Sequence, residues 1–247
     1  MRSGLEVYFF PLPSQITAST QESCHKLFPN VNQIWPDIRV ATFETLQMTI
    51  IAGIIAGIIG LIIGIVLLVT NKDGLTPNRV VYYVLDKVVD IGRSIPFIIL
   101  LAIIVPFTRL IVHTSVGTTA VTVPIVIGTL PFFARQIQNA LLEVDPGVVE
   151  AARAMGVGTF GIIFRVYLKE GLVSIIRASS FTIINLIGLT AMAGIVGGGG
   201  LGAMAIQVGY QRNQKDVTFM SLILVLVIVF ITQLLGNIAV KLASKGR

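Results

Sequence analysis

The sequence has little charge, one cysteine and two histidines. Charged residues make up 12% of its 247 residues, about half the share of an ordinary soluble domain, whereas 54% are hydrophobic and the mean hydropathy is +0.88. The single cysteine, Cys24, excludes an intramolecular disulfide and a multi-cysteine metal site. His25 and His113 are far apart in the sequence. We therefore predict no metal site and no catalytic residue.

Long uncharged runs dominate the remaining sequence. Apolar runs longer than about 18 residues predict transmembrane helices, and these runs are continuous rather than alternating, which excludes the strands of a β-barrel. The predicted fold class is an all-α membrane protein with five transmembrane helices. The spans are predicted at about 46–70, 94–112, 116–134, 178–195 and 217–240.

The segments outside the spans differ in character. Residues 1–40 contain no long apolar run, so we expect an N-terminal extension that is poorly ordered or peripheral. A short amphipathic interfacial stretch is the alternative. Val80 to Arg93 is amphipathic and predicts a helix near the membrane surface. Within the first span, four glycines fall on one face and predict a helix-packing seam. They are Gly53, Gly57, Gly60 and Gly64.

The distribution of lysine and arginine predicts the orientation. With five spans, residues 71–93, 135–177 and 241–247 lie on one side, and they carry twelve of the eighteen basic residues. The positive-inside rule places this side in the cytoplasm. The N-terminus is then predicted outside and the C-terminus in the cytoplasm.

The loop 136–176 is unusually long and polar for a small membrane protein. Asp145-Pro146 predicts a helix start, Gly156 and Gly158 break that helix, and Phe160 to Leu168 predicts a second short helix. Such a hairpin, tied to a span on each side, is suited to transmit force from a partner. From spacing alone, a hairpin that merely covers the span ends is an equal alternative.

The glycine run Gly197 to Gly200 is not a phosphate-binding loop. It lacks the Lys-Ser/Thr pair and the preceding strand of such loops, so we expect a mobile turn or hinge at an outer gate. The chain has no nucleotide-binding motif, and any energy source must be a partner protein.

Glu150-Ala151-Ala152, followed after three residues by Gly156, resembles the coupling signature of the permeases of bacterial ABC importers. In that family an Ile-x-Leu-Pro element follows, and here it corresponds to Val166 to Lys169, with lysine in place of proline. Other stretches resemble the methionine importer permeases, and the similarity covers about residues 41–243. These stretches are Ala41 to Leu46, Arg93 to Leu101, Pro106 to Arg109, Asn139 to Glu143, and Ala191-Met192 with the glycines that follow.

The resemblance implies the transmembrane domain of a type I importer at 41–243, not an enzyme, in the bacterial cytoplasmic membrane. It implies a homodimer, two ATPase subunits that carry ATP and Mg, and an extracytoplasmic binding protein or lipoprotein that delivers methionine, in some members its D-isomer. Membrane lipids are expected contacts and nucleic acid is not. The implied ATPase-coupling helix contains Glu150, Ala151, Ala152, Arg153 and Gly156. Arg153 and Arg165 are candidates for polar contacts with the ATPase, and contact with lipid headgroups is an equal alternative for both.

Three residues of the fourth predicted span are candidates for a gate or translocation path. Met192 suits an adaptable contact with a thioether, and Asn185 lies mid-span. For Thr190, as for Thr182, a bond to its own helix backbone is the favoured alternative. Packing for Met192 and a bond to a neighbouring helix for Asn185 also remain open.

Three other functions compete with a methionine permease. The first is a permease for another amino acid or an osmolyte, which belongs to the same broad class. A secondary transporter is disfavoured because no acidic residue lies inside a predicted span and no inverted repeat is evident. An intramembrane enzyme is disfavoured because no nucleophile and base are paired at membrane depth.

Overall fold

The computed structural model describes residues 29–245, and the side chains of all of these except Pro29 and Asn32. This part of the chain is built from helices and short connections, and contains no strand. The helices are α1 (Pro29–Gln33), α2 (Trp35–Thr70), α3 (Arg79–Ser94), α4 (Phe97–Val112), α5 (Thr118–Leu142), α6 (Pro146–Ala154), α7 (Thr159–Ile162), α8 (Leu168–Glu170), α9 (Leu172–Ile195), α10 (Gly200–Ala203) and α11 (Lys215–Lys245), with π-helical turns at Ile163–Tyr167 and Met204–Tyr210.

The first long helix, α2, begins at Trp35, well before the predicted start of the span at residue 46. Its 36 residues give a length of about 54 Å, more than a bilayer core requires. The extra turns form because Ile38 and Ala41 pack against Leu201 and Val217 from the other end of the sequence. The predicted extension 1–40 therefore includes the start of this helix and α1, while residues 1–28 lie outside the described part.

Four helices, α2, α5, α9 and α11, are long and apolar enough to cross a membrane. A fifth span is present if α3 and α4 count as one, because a bend of 109° joins them. The span predicted at 94–112 corresponds to α4, whose 16 residues measure about 24 Å. An all-helical membrane fold with four to five spans is thus confirmed.

The amphipathic helix predicted at Val80 to Arg93 is α3. It begins at an Asn78 cap, whose Oδ1 accepts a hydrogen bond from the Val81 amide at 3.1 Å. Its two carboxylates, Asp86 and Asp90, accept hydrogen bonds from Nη2 of Arg135 on α5 at 2.7 and 2.8 Å. Helix α3 is therefore fixed across α5 rather than free at the surface.

The predicted glycine seam on α2 is present along part of its length. A Cβ at Gly60 would come within 2.8 Å of Phe133, and one at Gly64 within 2.7 Å of the Ala134 carbonyl oxygen. Both glycines let α2 and α5 approach closely. Gly53 faces Leu186 of α9 at an ordinary distance, and Gly57 faces open space.

The helices define two ends of the bundle. At the hairpin end, α2, α5 and α11 finish and α9 begins, since Gly171 contacts Leu141 and Gly236 contacts Ser180. At the glycine end, the run 197–200 meets the first third of α2 and the start of α5. The basic segments 71–93 and 135–177 and the described end of α11 thus lie at one end, as the topology predicted.

Candidate functional site

The first arm of the hairpin is α6. Oδ1 of Asp145 accepts a hydrogen bond from the Gly147 amide at 2.8 Å, and Pro146 occupies the first turn. The helix ends at Ala154, and Gly156 follows with a φ of +77°, a conformation that glycine adopts without strain. Gly158 has a φ of −67° and open space around it. The predicted helix and turn are confirmed, and only Gly156 requires glycine by its conformation.

The second arm runs from Thr159 to Glu170 and contains a π-helical turn. The Leu168 amide donates to the Ile163 carbonyl, five residues back. Lys169, where the family signature has proline, is exposed in α8. The chain then passes directly into α9 at Gly171, where a Cβ would come within 2.9 Å of Leu141. A close glycine contact therefore fixes the exit of the hairpin.

The two arms share a small core of their own. Its buried side chains are Val144, Val149, Ala152, Ile162 and Val166. Ala152 therefore faces the second arm, and its small size allows the arms to approach each other. Of the residues in the coupling signature, Glu150 and Ala151 are the exposed ones, together with Arg153 and Gly156.

The outer surface of the hairpin exposes large apolar side chains. Met155, Phe160 and Phe164 are 76%, 79% and 65% exposed, and Val148 is also exposed. They lie at the end of the bundle that carries most of the basic residues, away from the apolar spans. Exposed apolar side chains concentrated in this way are typical of surfaces that contact another protein or a membrane.

Two contacts connect the hairpin to the bundle. Nη2 of Arg153 donates to the Gly74 carbonyl in the α2–α3 loop at 2.9 Å. Tyr167 packs both against the hairpin core and against the cluster that includes Leu68 and Leu141. Burial raises the pKa of Tyr167, and the charge of Arg153 acts in the opposite direction. Sequence reasoning missed both contacts, because each joins residues that are distant in the sequence. Gly74 and Arg153, for example, are 79 residues apart.

The glycine run forms a turn that hydrogen bonds to α2. Gly197, Gly199 and Gly200 all have positive φ, from +73° to +88°. The Gly200 amide donates to Oε2 of Glu44 at 2.7 Å, and the Leu201 amide donates to Oγ1 of Thr45 at 2.9 Å. The predicted turn is confirmed, and α2 holds it in place; its mobility stays a prediction. Sequence reasoning missed this contact, and an acidic residue two positions before the predicted start of the first span was a signal that could have indicated it.

The three path candidates lie in different surroundings. Asn185 lines a cleft of about 140 Å³ near the bend between α3 and α4. Met192 is 42% exposed beside the glycine run, two turns further along the same face of α9. Thr190 is buried, and its hydroxyl donates to the Ile187 carbonyl at 2.7 Å. The structure thus places Asn185 and Met192 on one face of α9 without a contact between them, and gives Thr190 a partner within its own helix.

Within residues 29–245, no three His, Cys, Asp or Glu side chains are grouped so that they could hold a metal ion. The described part of the molecule is a helical membrane bundle with a polar hairpin at one end. The sequence profile of the family described as binding-protein-dependent transport system inner membrane component matches residues 56–245. The chain therefore belongs to this family of membrane subunits of ABC importers.

Within that family, the chain groups with proteins named as methionine permeases. It is 47% identical over 222 residues to the methionine import system permease protein MetP of Bacillus subtilis, which covers 89% of this chain and 98% of that protein. Its identity to a probable D-methionine transport system permease protein MetI of Pasteurella multocida is 45% over 205 residues, or 83% and 94% of the two chains.

One solved structure gives the same grouping, and a second shows the same fold. A chain of the MetNI methionine ABC transporter in an inward-facing conformation superposes with a TM-score of 0.83 at 40% identity, covering 86% of this chain and 98% of that one. A chain of an amino acid ABC transporter crystallised with histidines shares the fold, with a TM-score of 0.67 at 19% identity.

Proposed function

We propose that this chain is the permease subunit of an ATP-driven importer that carries methionine across a bacterial cytoplasmic membrane. The hairpin carries the proposal, because its two arms are preformed around their own core and present an apolar face at the basic end of the bundle. The similarity to MetP over nearly its whole length supports methionine as the substrate.

In the proposed orientation the hairpin end is cytoplasmic, and the N-terminus is outside. The bias of twelve basic residues out of eighteen toward that end supports this choice. The glycine end then faces the extracytoplasmic binding protein or lipoprotein that delivers methionine. Two copies of the chain form the complete path, and both L- and D-methionine are candidate substrates.

The proposed partner on the cytoplasmic side is an ATPase subunit, which binds ATP and Mg. Helix α6 and the exposed phenylalanines of the second arm enter a groove of the ATPase, in the manner of helix-in-groove recognition. Glu150, Ala151 and Arg153 line the contact. Ala152 keeps the two arms together, and Gly156 allows the turn between them.

Movement of the hairpin reaches the spans through its two connections. The hydrogen bond from Arg153 to the Gly74 carbonyl couples the α2–α3 loop to the hairpin. Tyr167 couples the hairpin to the core between α2 and α5 by packing against it. Because packed helices shift as units rather than deform, closure of the ATPase dimer rocks the helices between two arrangements. At the other end, Asn185 and Met192 line the proposed path and gate, and Thr190 supports α9.

The test compares Gly156→Val with Gly158→Val in the assembled permease–ATPase complex. Valine at a positive φ costs about 1–3 kcal/mol, whereas position 158 has a conformation that any residue adopts and open space. We expect Gly156→Val to lower both ATPase co-purification and ATP-driven uptake of labelled methionine. Glu150→Lys should weaken ATPase binding without changing the stability of the isolated permease.

Gly158→Val is the matched control and should retain binding and uptake. Unchanged uptake in both Gly156→Val and Glu150→Lys would refute the coupling role of the hairpin. The substrate is tested with the unmodified complex in proteoliposomes supplied with the binding protein and ATP. If neither isomer of methionine accumulates, methionine is not the substrate.

A further inference from the structure

A polar cleft of about 240 Å³ lies between α5 and α9 at the hairpin end. Its polar lining contrasts with the apolar surfaces of the two helices elsewhere. Neither the coupling residues nor the path candidates line it. The residues that face it are Gln136, Asn139, Glu143, Ser174, Arg177 and Phe181, with Ala140 and Ala178 as small wall residues.

Two charges of opposite sign occupy the cleft. Glu143 extends from α5 and Arg177 from α9, and Oε2 of Glu143 accepts a hydrogen bond from Ser174 Oγ at 2.5 Å. In the part of the chain that the structure describes, no ion pair joins the two charges, and Arg177 makes no hydrogen bond. The cleft therefore presents a separate cation and a separate anion.

Charges near the ends of membrane-spanning helices face water-filled cavities or other charges, because lipid does not solvate them. Glu143 and Arg177 are both exposed to solvent. Opposite charges that line one cleft without pairing match a zwitterion, whose carboxylate binds a guanidinium in paired hydrogen bonds and whose ammonium binds a carboxylate. The amide side chains of Gln136 and Asn139 add donors and acceptors in the same cleft. The arrangement suits an α-amino acid better than a simple ion of either sign.

One wall of the cleft is aromatic. The ring of Phe181 is held by the ring of Phe132, with 5.9 Å between their centroids. Aromatic rings make favourable contacts with thioether sulfur. When the charged groups of a ligand bind Glu143 and Arg177, the side chain of that ligand can contact the Phe181 ring.

Both walls of the cleft are covalently continuous with the coupling hairpin. Glu143 precedes the Asp145 cap of α6, and Ser174 follows the Gly171 contact at the start of α9. The cleft therefore lies directly beside the hairpin, and we expect the spacing between the carboxylate and the guanidinium to respond when the helices change their arrangement. Ligand affinity at this cleft is then linked to the conformation that the ATPase imposes.

We propose that this cleft is a low-affinity exit site for zwitterionic α-amino acids, in which Arg177 binds the carboxylate and Glu143 the ammonium group. The inference rests on the proposed function, because it places the transported amino acid at the cytoplasmic end. Low affinity is expected, since a ligand on an exit route must leave. A lipid headgroup that combines an amine and a phosphate offers similar charges and is the alternative occupant.

The experiment uses cysteine alkylation in the full permease–ATPase complex, in detergent and without nucleotide. Cys24 is replaced by serine, and Ala178→Cys places a thiol in the cleft wall. We expect L-methionine to slow the alkylation of this thiol severalfold, since only the unoccupied fraction reacts. Ser244→Cys, an exposed position on α11 outside the cleft, is the control and should show no protection.

Arg177→Gln in the Ala178→Cys background should raise the methionine concentration that gives half-protection by about tenfold or more, the loss expected for a charged hydrogen bond. Methioninamide, which lacks the carboxylate, should protect as weakly in the unmodified cleft. Arg212→Gln, which changes an exposed arginine at the glycine end, should leave protection unchanged. Equal protection in the Arg177 and Arg212 variants would overturn the assignment.

Uptake of labelled methionine by the same complex separates this inference from the proposed function. Uptake without protection of the thiol overturns the exit site and leaves the permease function intact. Absence of uptake by the unmodified complex refutes the proposed function itself. Protection by glycerophosphoethanolamine but not by methionine would assign the cleft to lipid and overturn the inference.

Discussion

The two ends of this bundle are held together by different kinds of contact. The hairpin end is organised by side chains, since Val149, Ile162 and Val166 form a core between its arms. The glycine end combines a side-chain core around Leu201 with close backbone contacts, since α10 lies directly against the last turns of α9. There, a Cβ at Gly194 would collide with the backbone of Ala203, and one at Gly202 with the backbone of Ala191.

This difference separates two tasks. A core of interdigitated side chains keeps a protruding element rigid as a unit, which suits a hairpin that receives force. A turn with positive φ values, bonded through its amides to Glu44 and Thr45, has few side chains to rearrange. The comparison predicts that the hairpin end is sensitive to removed volume and the glycine end to added volume.

The largest effect is expected from Ile162→Ala at the hairpin end. Ile162 is 2% exposed, and truncation of such a side chain costs about 2–5 kcal/mol. The hairpin should become sensitive to limited proteolysis and lose its ATPase partner. Phe164→Ala is the matched control, because its side chain is 65% exposed: the hairpin should stay protease-resistant while ATPase binding falls. If both variants resisted protease equally, the side-chain core would not be what keeps the hairpin folded.

A smaller effect is expected from Gly194→Ala at the glycine end. The added methyl meets the backbone of α10, and overpacking of this kind costs about 1–3 kcal/mol, which lowers the thermal midpoint of the purified permease by roughly 3–10 °C. Gly188→Ala, on the same helix with nothing within 4 Å of the new methyl, should leave the midpoint unchanged or raise it. A midpoint that is the same in both variants would contradict the close approach of α9 and α10.

The smallest effect is expected from Glu44→Gln. Glutamine still offers an oxygen to the Gly200 amide, so only the charge of the acceptor is lost, and the cost is about 1 kcal/mol. The readout is faster hydrogen exchange at the amides of Gly200 and Leu201. Gln47→Ala, at an exposed position about one turn further along α2, should not change the exchange. Faster exchange in both variants would show that Glu44 has no special role in holding the turn.

The helices themselves were largely predictable from the sequence. Long uncharged runs, the Asp145-Pro146 start and the break at Gly156 each act through neighbouring residues, so their signals are local. The boundaries were less predictable, because α2 extends to Trp35 by packing Ile38 against a distant part of the chain. For the same reason, α3 was expected at the surface, and its fixation by Arg135 was not apparent.

By itself, the sequence determined a helical membrane bundle, its polar hairpin and the end at which most basic residues gather. These properties follow from hydropathy, backbone conformation and charge, each of which is set within a few neighbouring residues. Only the tertiary structure decided that Ala152 faces inward, that Arg153 bonds to the Gly74 carbonyl and that Glu44 holds the glycine run. Such contacts join residues that are far apart in the chain, and their geometry exists only once the helices have packed.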